Sequence, residues 1–358
     1  MNYSEERINE SRQIELDFVK AFAIIFMVII HVYEELSAVD VSIAPQGFLH
    51  NFLQFMAGPL AAPAFMFAMG LGTLYTKNRS PKVLVKRGIQ LFITAYVLNI
   101  VRDAIPCVIS SFVKNTPINI EELVYVCFNI DILAFAGLAF IAIGISKHFK
   151  VSLEMLGVLA VLFQFLGTFL SAVVPINYVT QYIFGLFFYT SDVSCFPFFQ
   201  WFIYPISGMI FAKYLKHIND LDLFYKGVLY VSLIVIAGLS ISLYTYGFDL
   251  KTFYMLKDNI YYRQTFLSFL FTISCVCAEI SIFHFIRKKI QSIKIENTIK
   301  FISSNLTNIY YYQWIIIGWI NMFFRPSINF YLVIPVGLII MFIAIGIAYL
   351  KTKRSTNN

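Results

Sequence analysis

The chain consists mainly of apolar runs about 20 residues long, the length that a transmembrane helix requires, separated by short polar loops. The runs contain few charges, and most charged residues lie between them. This pattern predicts ten membrane-spanning helices. They cover residues 16–34, 48–75, 86–105, 123–146, 151–174, 196–215, 224–247, 264–286, 301–323 and 328–350.

The composition agrees with this pattern. Of the 358 residues, 59% are hydrophobic and 13% are charged, with a mean hydropathy of +0.74, whereas a soluble domain carries about 25% charged residues. We therefore predict an all-α, polytopic transmembrane bundle in the plasma membrane. A cytoplasmic tail over 1–15 precedes a single transmembrane domain over 16–350, and a basic cytoplasmic tail follows over 351–358.

The distribution of basic residues favours ten spans with both termini cytoplasmic. Of the 27 Lys and Arg residues, 20 then fall on the inner side and six on the outer side, leaving aside Lys20. Segment 177–195 is apolar but short, so we interpret it as re-entrant or interfacial. An eleventh span there is the alternative, but it would place the basic cluster 287–289 outside. The net charge of +7 orients the chain and does not indicate nucleic-acid binding.

The first predicted span carries two ionisable side chains, Lys20 and His31. Such groups cost several kcal/mol in hydrocarbon unless they have partners. They are eleven positions apart, so they share one stripe of a helix, about 16 Å apart along its axis. Asp17 joins this stripe and is also placed to form an ion pair with Lys20. The pattern predicts a polar site inside the bundle.

Two histidines are predicted at the outer ends of adjacent spans. His31 ends the first span and His50 begins the second, and a short loop joins them. Either imidazole can act as a general base on a hydroxyl or an amine, because histidine titrates near neutral pH. The structural alternative is that each ring binds a loop carbonyl. Asp131, in the fourth span, is a further buried candidate.

The loop after the second span contains five cations within eleven residues: Lys77, Arg79, Lys82, Lys86 and Arg87. One interpretation is an orientation signal with affinity for anionic lipid. The other is a phosphate-binding rim for an anionic cytosolic donor such as an acyl-coenzyme A. We expect no metal site, because neither the five cysteines nor any histidine pair has the spacing of metal ligands.

The segment IELDFVKAFAIIFMVIIH resembles the opening signature of the integral-membrane acyltransferases of the acyltransferase 3 family. That signature is an acidic residue, then Arg, then ten residues and His, and here Asp17, Lys20 and His31 keep its spacing. An ammonium replaces the guanidinium, which alone can form two parallel bonds to an anion. PAFMFAMG resembles the heparan-glucosaminide N-acetyltransferase branch, in which a histidine corresponds to His50. DILAFAGLAF, CFPFFQWFIYPISGMIFAK and NLTNIYYYQW resemble bacterial members.

The resemblance implies transfer of an acyl group, usually acetyl, from cytosolic acetyl-CoA or another acyl-CoA to a sugar beyond the membrane. Asp17, Lys20 and either His31 or His50 would form the catalytic group. Direct attack on the thioester and a path through an acetyl-histidine both stay open.

The expected acceptor is a glycan or glycolipid, with membrane lipid around the bundle and a homodimer left open. Asn305, Tyr310, Gln313 and Trp314 would line the acceptor mouth with Asp131, or form an interfacial aromatic belt. A transporter or flippase of a glycan or lipid-linked intermediate is the chief alternative, although the chain shows no paired repeats.

Overall fold

The computed structural model of the protein is a bundle of α-helices, and the residues that it describes contain no β-strand. These residues are 3–37, 47–76, 80–255, 261–290, 292–324 and 326–357. The prediction of an all-α transmembrane bundle is thereby confirmed. Among the described residues, seven helical stretches are long and apolar enough to cross a membrane. The count of ten spans and the cytoplasmic position of both termini stay predictions.

Sixteen α-helices follow one another along the described chain. The first eight are α1 (Ile14–Leu36), α2 (Phe48–Ala57), α3 (Ala62–Tyr75), α4 (Pro81–Asn99), α5 (Ile105–Lys114), α6 (Ile120–Cys127), α7 (Ile132–His148) and α8 (Leu153–Leu170). The others are α9 (Tyr178–Phe187), α10 (Phe198–Trp201), α11 (Ile203–Leu215), α12 (Leu221–Thr245), α13 (Phe266–Lys289), α14 (Ile293–Ser304), α15 (Leu306–Phe324) and α16 (Val333–Asn357). A π-helical turn (Ile100–Ala104) joins α4 to α5, and 3-10 turns cover Leu250–Phe253 and Phe330–Leu332.

Each predicted span contains a helix, but several differ from the simple pattern. The second is broken between α2 and α3, and the fourth between α6 and α7. The third begins earlier than predicted, at Pro81, because the Ser80 hydroxyl accepts a hydrogen bond from the Val83 amide and proline is favourable in a first turn. Within 177–195, α9 has ten residues, about 15 Å of helix.

Helix α1 lies at the centre of the bundle. It contacts six other helices, α2, α3, α13, α14, α15 and α16. Its residues Val19, Ala23, Ile24, Val28 and Val32 are fully buried. The ionisable groups of α1 therefore face protein on several sides, which is the setting in which a bundle can accommodate them.

Two helix pairs pack so closely that only glycine fits between them. A Cβ atom on Gly70 of α3 would lie 1.8 Å from the carbonyl oxygen of Pro205 in α11, and one on Gly208 would lie 2.0 Å from that of Phe67. Helices α4 and α7 touch in the same way at Gly88 and Gly137. Close approach through small residues is the usual way in which membrane helices associate.

Candidate functional site

A cavity that is open to the surface lies beside α1. Met27, Ile30, His31 and Glu34 form its α1 wall, because positions i, i+3, i+4 and i+7 share one helix face. The other lining residues come from the α2–α3 break, the start of α7, α15 and two loops. They are Ala57, Ala61, Ala62, Asp131, Ile132, Phe196, Tyr261, Tyr262 and Tyr310. The cavity thus contains His31, the central residue of the sequence prediction.

The His31 ring is held between α1 and α15. It stacks on the indole of Trp314, with 3.9 Å between ring centroids and 28° between planes. Its Nδ1 atom lies 3.2 Å from Oε1 of Gln313, which is fully buried. Trp314 is covered on another side by Arg102, whose guanidinium carbon is 4.3 Å from the ring centroid. One stacked indole and one hydrogen bond therefore orient the imidazole.

The amide of Gln313 determines which nitrogen of His31 carries the proton. Its Nε2 atom donates to the carbonyl oxygen of Tyr310 at 3.1 Å, so its Oε1 atom must be the acceptor for His31. A neutral His31 therefore carries its proton on Nδ1, and the lone pair is on Nε2. Nε2 makes no hydrogen bond with the described residues and is not among their sealed, unpartnered polar atoms. His31 lines the cavity, and its Nε2 atom is not engaged by the described residues, as a general base requires.

Asp131 joins α7 to α15 at the floor of the cavity. It caps the N-terminus of α7, because Oδ1 accepts a 2.6 Å hydrogen bond from the Ile132 amide. Its Oδ2 atom accepts a hydrogen bond from the hydroxyl of Tyr310, which also lines the cavity. The structure therefore brings Asp131, Tyr310, Gln313 and Trp314 into one group around His31.

Two loop tyrosines form the aromatic side of the cavity. The Tyr261 hydroxyl donates to the carbonyl oxygen of Gly58 at 2.8 Å, and the Tyr262 carbonyl accepts from the indole of Trp201 at 3.1 Å. Gln264 supports Tyr261, since its side chain donates to the Tyr261 carbonyl and accepts from the Tyr204 hydroxyl. Sequence reasoning missed both tyrosines and Glu34. The paired tyrosines before a span were the available signal, but the same pattern is typical of an interfacial belt.

His50 occupies a different environment from His31. It is buried on α2, and its Nδ1 atom lies 3.0 Å from the hydroxyl of Tyr33. His50 is not among the residues that line the described cavity. The two imidazoles therefore do not face one described space, although their helices are neighbours as the short loop indicated.

Asp17, in the first turn of α1, is paired with Arg12. The guanidinium donates from Nε at 2.7 Å and from Nη2 at 3.0 Å, and the Ser303 hydroxyl donates at 2.5 Å. The hydrogen bond with Asp17 raises the pKa of Arg12 above its usual value. The ion pair that the sequence suggested with Lys20 is thus made with Arg12. Lys20 is half-buried and makes no hydrogen bond or ion pair with the described residues.

The described part of the basic segment lies on the first two turns of α4. Lys82, Lys86 and Arg87 are exposed there, while Lys77 and Arg79 lie outside the described residues. The Arg87 guanidinium lies 4.5 Å from the ring centroid of Phe140 on α7, and its charge interacts with that of Lys20. Cations at a helix N-terminus, where backbone amides are also free, form a favourable setting for phosphate.

Of the predicted acceptor residues, Asp131 and Tyr310 line the cavity, and Gln313 and Trp314 contact His31 without lining it. Asn305 lies elsewhere. It ends α14, where its side chain donates to the Phe301 carbonyl at 3.1 Å and accepts from the Thr352 hydroxyl at 3.2 Å. It connects α14 to α16 and does not line the described cavity.

Comparisons with known proteins identify one feature of the chain. A family model described as an acyltransferase domain matches residues 13–353, nearly the whole sequence. No curated protein and no solved structure matches the chain. Within the described residues, no group of three or more His, Cys, Asp or Glu side chains is placed to hold a metal ion.

Proposed function

The chain belongs to the acyltransferase family whose domain model spans residues 13–353, and from this premise we propose a specific reaction. The protein transfers an acetyl group from cytosolic acetyl-CoA to a sugar of a cell-envelope glycan or glycolipid on the far side of the membrane. The observation that carries this proposal is the position of His31 in the cavity lining, with Nδ1–H bonded to Gln313 and Nε2 without a hydrogen bond to the described residues.

His31 is the general base in the proposed reaction. Its Nε2 atom takes the proton of an acceptor hydroxyl or amine as that group attacks the thioester carbonyl. The C–S bond then breaks, and the thiolate of coenzyme A receives the proton from the imidazolium. Gln313 accepts the Nδ1–H bond throughout, so the ring needs no reorientation between the two proton transfers.

The donor enters from the inner end of α1. Lys82, Lys86 and Arg87 attract the phosphates of acetyl-CoA at the start of α4, and Lys20 lies seven residues before Met27 on the cavity-lining face. Lys20 and His31 are about 16 Å apart along the helix. The extended thioester arm, rather than the nucleotide, must therefore reach His31.

One assay tests the proposed reaction directly. The purified protein is offered radiolabelled acetyl-CoA together with a cell-envelope glycan, and label in the glycan is measured. We expect transfer that requires both substrates. Donor binding without transfer to any acceptor would contradict the proposal and favour a transporter.

Gln313 is expected to affect kcat indirectly, by orienting the imidazole of His31. In Gln313→Leu the Nδ1–H group loses its acceptor. The proton is then no longer held on Nδ1, so Nε2 does not always carry the lone pair. We expect kcat to fall about 10- to 100-fold, with little change in KM for acetyl-CoA, as is typical when the orienting partner of an imidazole is lost. Gln313→Glu keeps an acceptor and should retain most of the activity. Equal losses in both variants would contradict this role.

The cations of α4 are expected to control donor affinity. Replacing Lys82, Lys86 and Arg87 together by glutamine should raise KM for acetyl-CoA about tenfold, because each exposed charge contributes up to about 1 kcal/mol. The wild-type KM should rise with salt and that of the variant should not. Lys226→Gln with Lys289→Gln, on α12 and α13, is the matched control. A KM unchanged by the triple replacement would remove α4 from the donor site.

A further inference from the structure

We infer that the cavity accepts a sugar residue without negative charge and that Glu34 is the side chain that enforces this selection. The inference rests on the proposed function and names the class of its acceptor. Neutral and amino sugars belong to this class, whereas uronic acids and phosphorylated sugars do not.

Glu34 presents an unpaired carboxyl group to the acceptor space. It lies three residues after His31 on the same face of α1, and it lines the cavity. Its side chain is exposed and makes no hydrogen bond or ion pair with the described residues. Gln313 and Tyr310, by contrast, use their side-chain polar atoms in hydrogen bonds within the protein. Glu34 is therefore the acidic group that is free to meet an incoming acceptor.

The charges around the cavity are unbalanced. Its described lining includes the carboxyl groups of Glu34 and Asp131 and no Lys or Arg side chain. Arg102 lies behind Trp314, but its Nε atom donates to Asp103 at 2.7 Å and its guanidinium covers the indole. An anion bound in this space would lose its hydration beside two carboxyl groups, and the described lining offers no Lys or Arg side chain to compensate for that loss.

The aromatic side of the cavity suits the remaining surface of a sugar. The Tyr261 hydroxyl is bonded to the Gly58 carbonyl, so its ring needs little ordering when a ligand binds, and the Tyr262 backbone is held by the indole of Trp201. Aromatic rings pack against apolar C–H faces, while a carboxylate accepts hydrogen bonds from hydroxyl or ammonium groups. These two properties together favour a polyhydroxylated ligand that is neutral or cationic.

The experiment uses three matched probes with the protein in lipid nanodiscs: methyl β-glucoside, methyl β-glucosaminide and methyl β-glucuronide. Dissociation constants are measured by saturation-transfer NMR. We expect the glucuronide to bind at least about tenfold more weakly than the glucoside, and Glu34→Gln to reduce that ratio below about threefold. Glu35→Gln is the matched control, because Glu35 accepts a 2.8 Å hydrogen bond from Asn321 and does not line the cavity. It should leave the ratio unchanged.

Equal affinities for the glucoside and the glucuronide would overturn the inference. It would also be overturned if Glu34→Gln left the ratio of the two dissociation constants unchanged, or if none of the three probes bound. Acetyl transfer from radiolabelled acetyl-CoA is measured on the same samples. The expected binding pattern without any acetyl transfer would reject the proposed reaction while leaving the charge selection in place. The two failures are therefore distinguishable.

Discussion

Replacement of His31 by alanine should lower kcat for acetyl transfer by about 10²- to 10⁴-fold, the range typical for loss of a general base. The variant keeps Gln313 and the α4 cations, so it loses the Nε2 nitrogen without losing the groups proposed to hold the donor. The dissociation constant for acetyl-CoA should therefore change less than threefold by the same reasoning. Radiolabel transfer and donor binding measured on one preparation test both statements.

His50→Ala is the control for the His31→Ala experiment. His50 is buried against the Tyr33 hydroxyl, outside the lining of the described cavity. Its removal deletes one buried hydrogen bond, which contributes about 0.5–1.5 kcal/mol to stability. We expect a lower melting temperature and near-normal kcat for the folded fraction. A loss in His50→Ala as large as that in His31→Ala would mean that the catalytic base is wrongly assigned.

A methyl group on Gly70 should prevent stable packing of the bundle. Its Cβ would lie 1.8 Å from the Pro205 carbonyl oxygen, and a backbone atom cannot rotate away as a side chain does. Helices α3 and α11 would have to separate, and the close contact of Gly208 with Phe67 would be lost with them. We expect Gly70→Ala to lower the free energy of unfolding by about 3 kcal/mol or more. Fluorescence-detected size exclusion and thermal melting in detergent measure this effect.

Gly72 supplies the matched control on the same helix. No atom lies within 4 Å of a Cβ built on Gly72, so alanine fits there. Alanine also favours a helix over glycine by up to about 1 kcal/mol. Gly72→Ala should therefore be as stable as the wild type or slightly more so. If both alanine variants melted alike, the close contact between α3 and α11 would be refuted.

The helical architecture was predictable because each long apolar run must satisfy its backbone hydrogen bonds within itself when it lies in lipid. The interruptions were not. Helix α2 ends at Ala57, and a Cβ on the next residue, Gly58, would lie 2.8 Å from the carbonyl oxygen of Tyr254, far along the chain. The π-helical turn that buries Arg102 beside Gly318 also depends on a distant helix. Local sequence patterns contain no information about such contacts.

The candidate site, like the fold, was predictable from the sequence only in part. Helical spacing placed Lys20 and His31 on one stripe, and the buried polar residues of α15 were recognised as candidates. Which of them contact His31 depends on how α15 is rotated about its axis. That rotation is set by packing between helices that are nearly 300 residues apart in the sequence. Asp17 illustrates the limit, because its partner is Arg12 in the preceding segment rather than a residue of its own helix. Glu34 was missed because a carboxylate at a helix end usually faces solvent.

For the proposed reaction, the enclosure of α1 by six helices has a consequence for how an acetyl group would cross the bilayer. A helix packed on so many sides has little freedom to tilt or slide, so we expect His31 to keep one depth during turnover. The crossing would then depend on the reach of the donor's flexible arm and not on rocking of one half of the protein against the other. In that case cleavage of the thioester would supply the free energy of transfer, and we expect turnover without a transmembrane ion gradient.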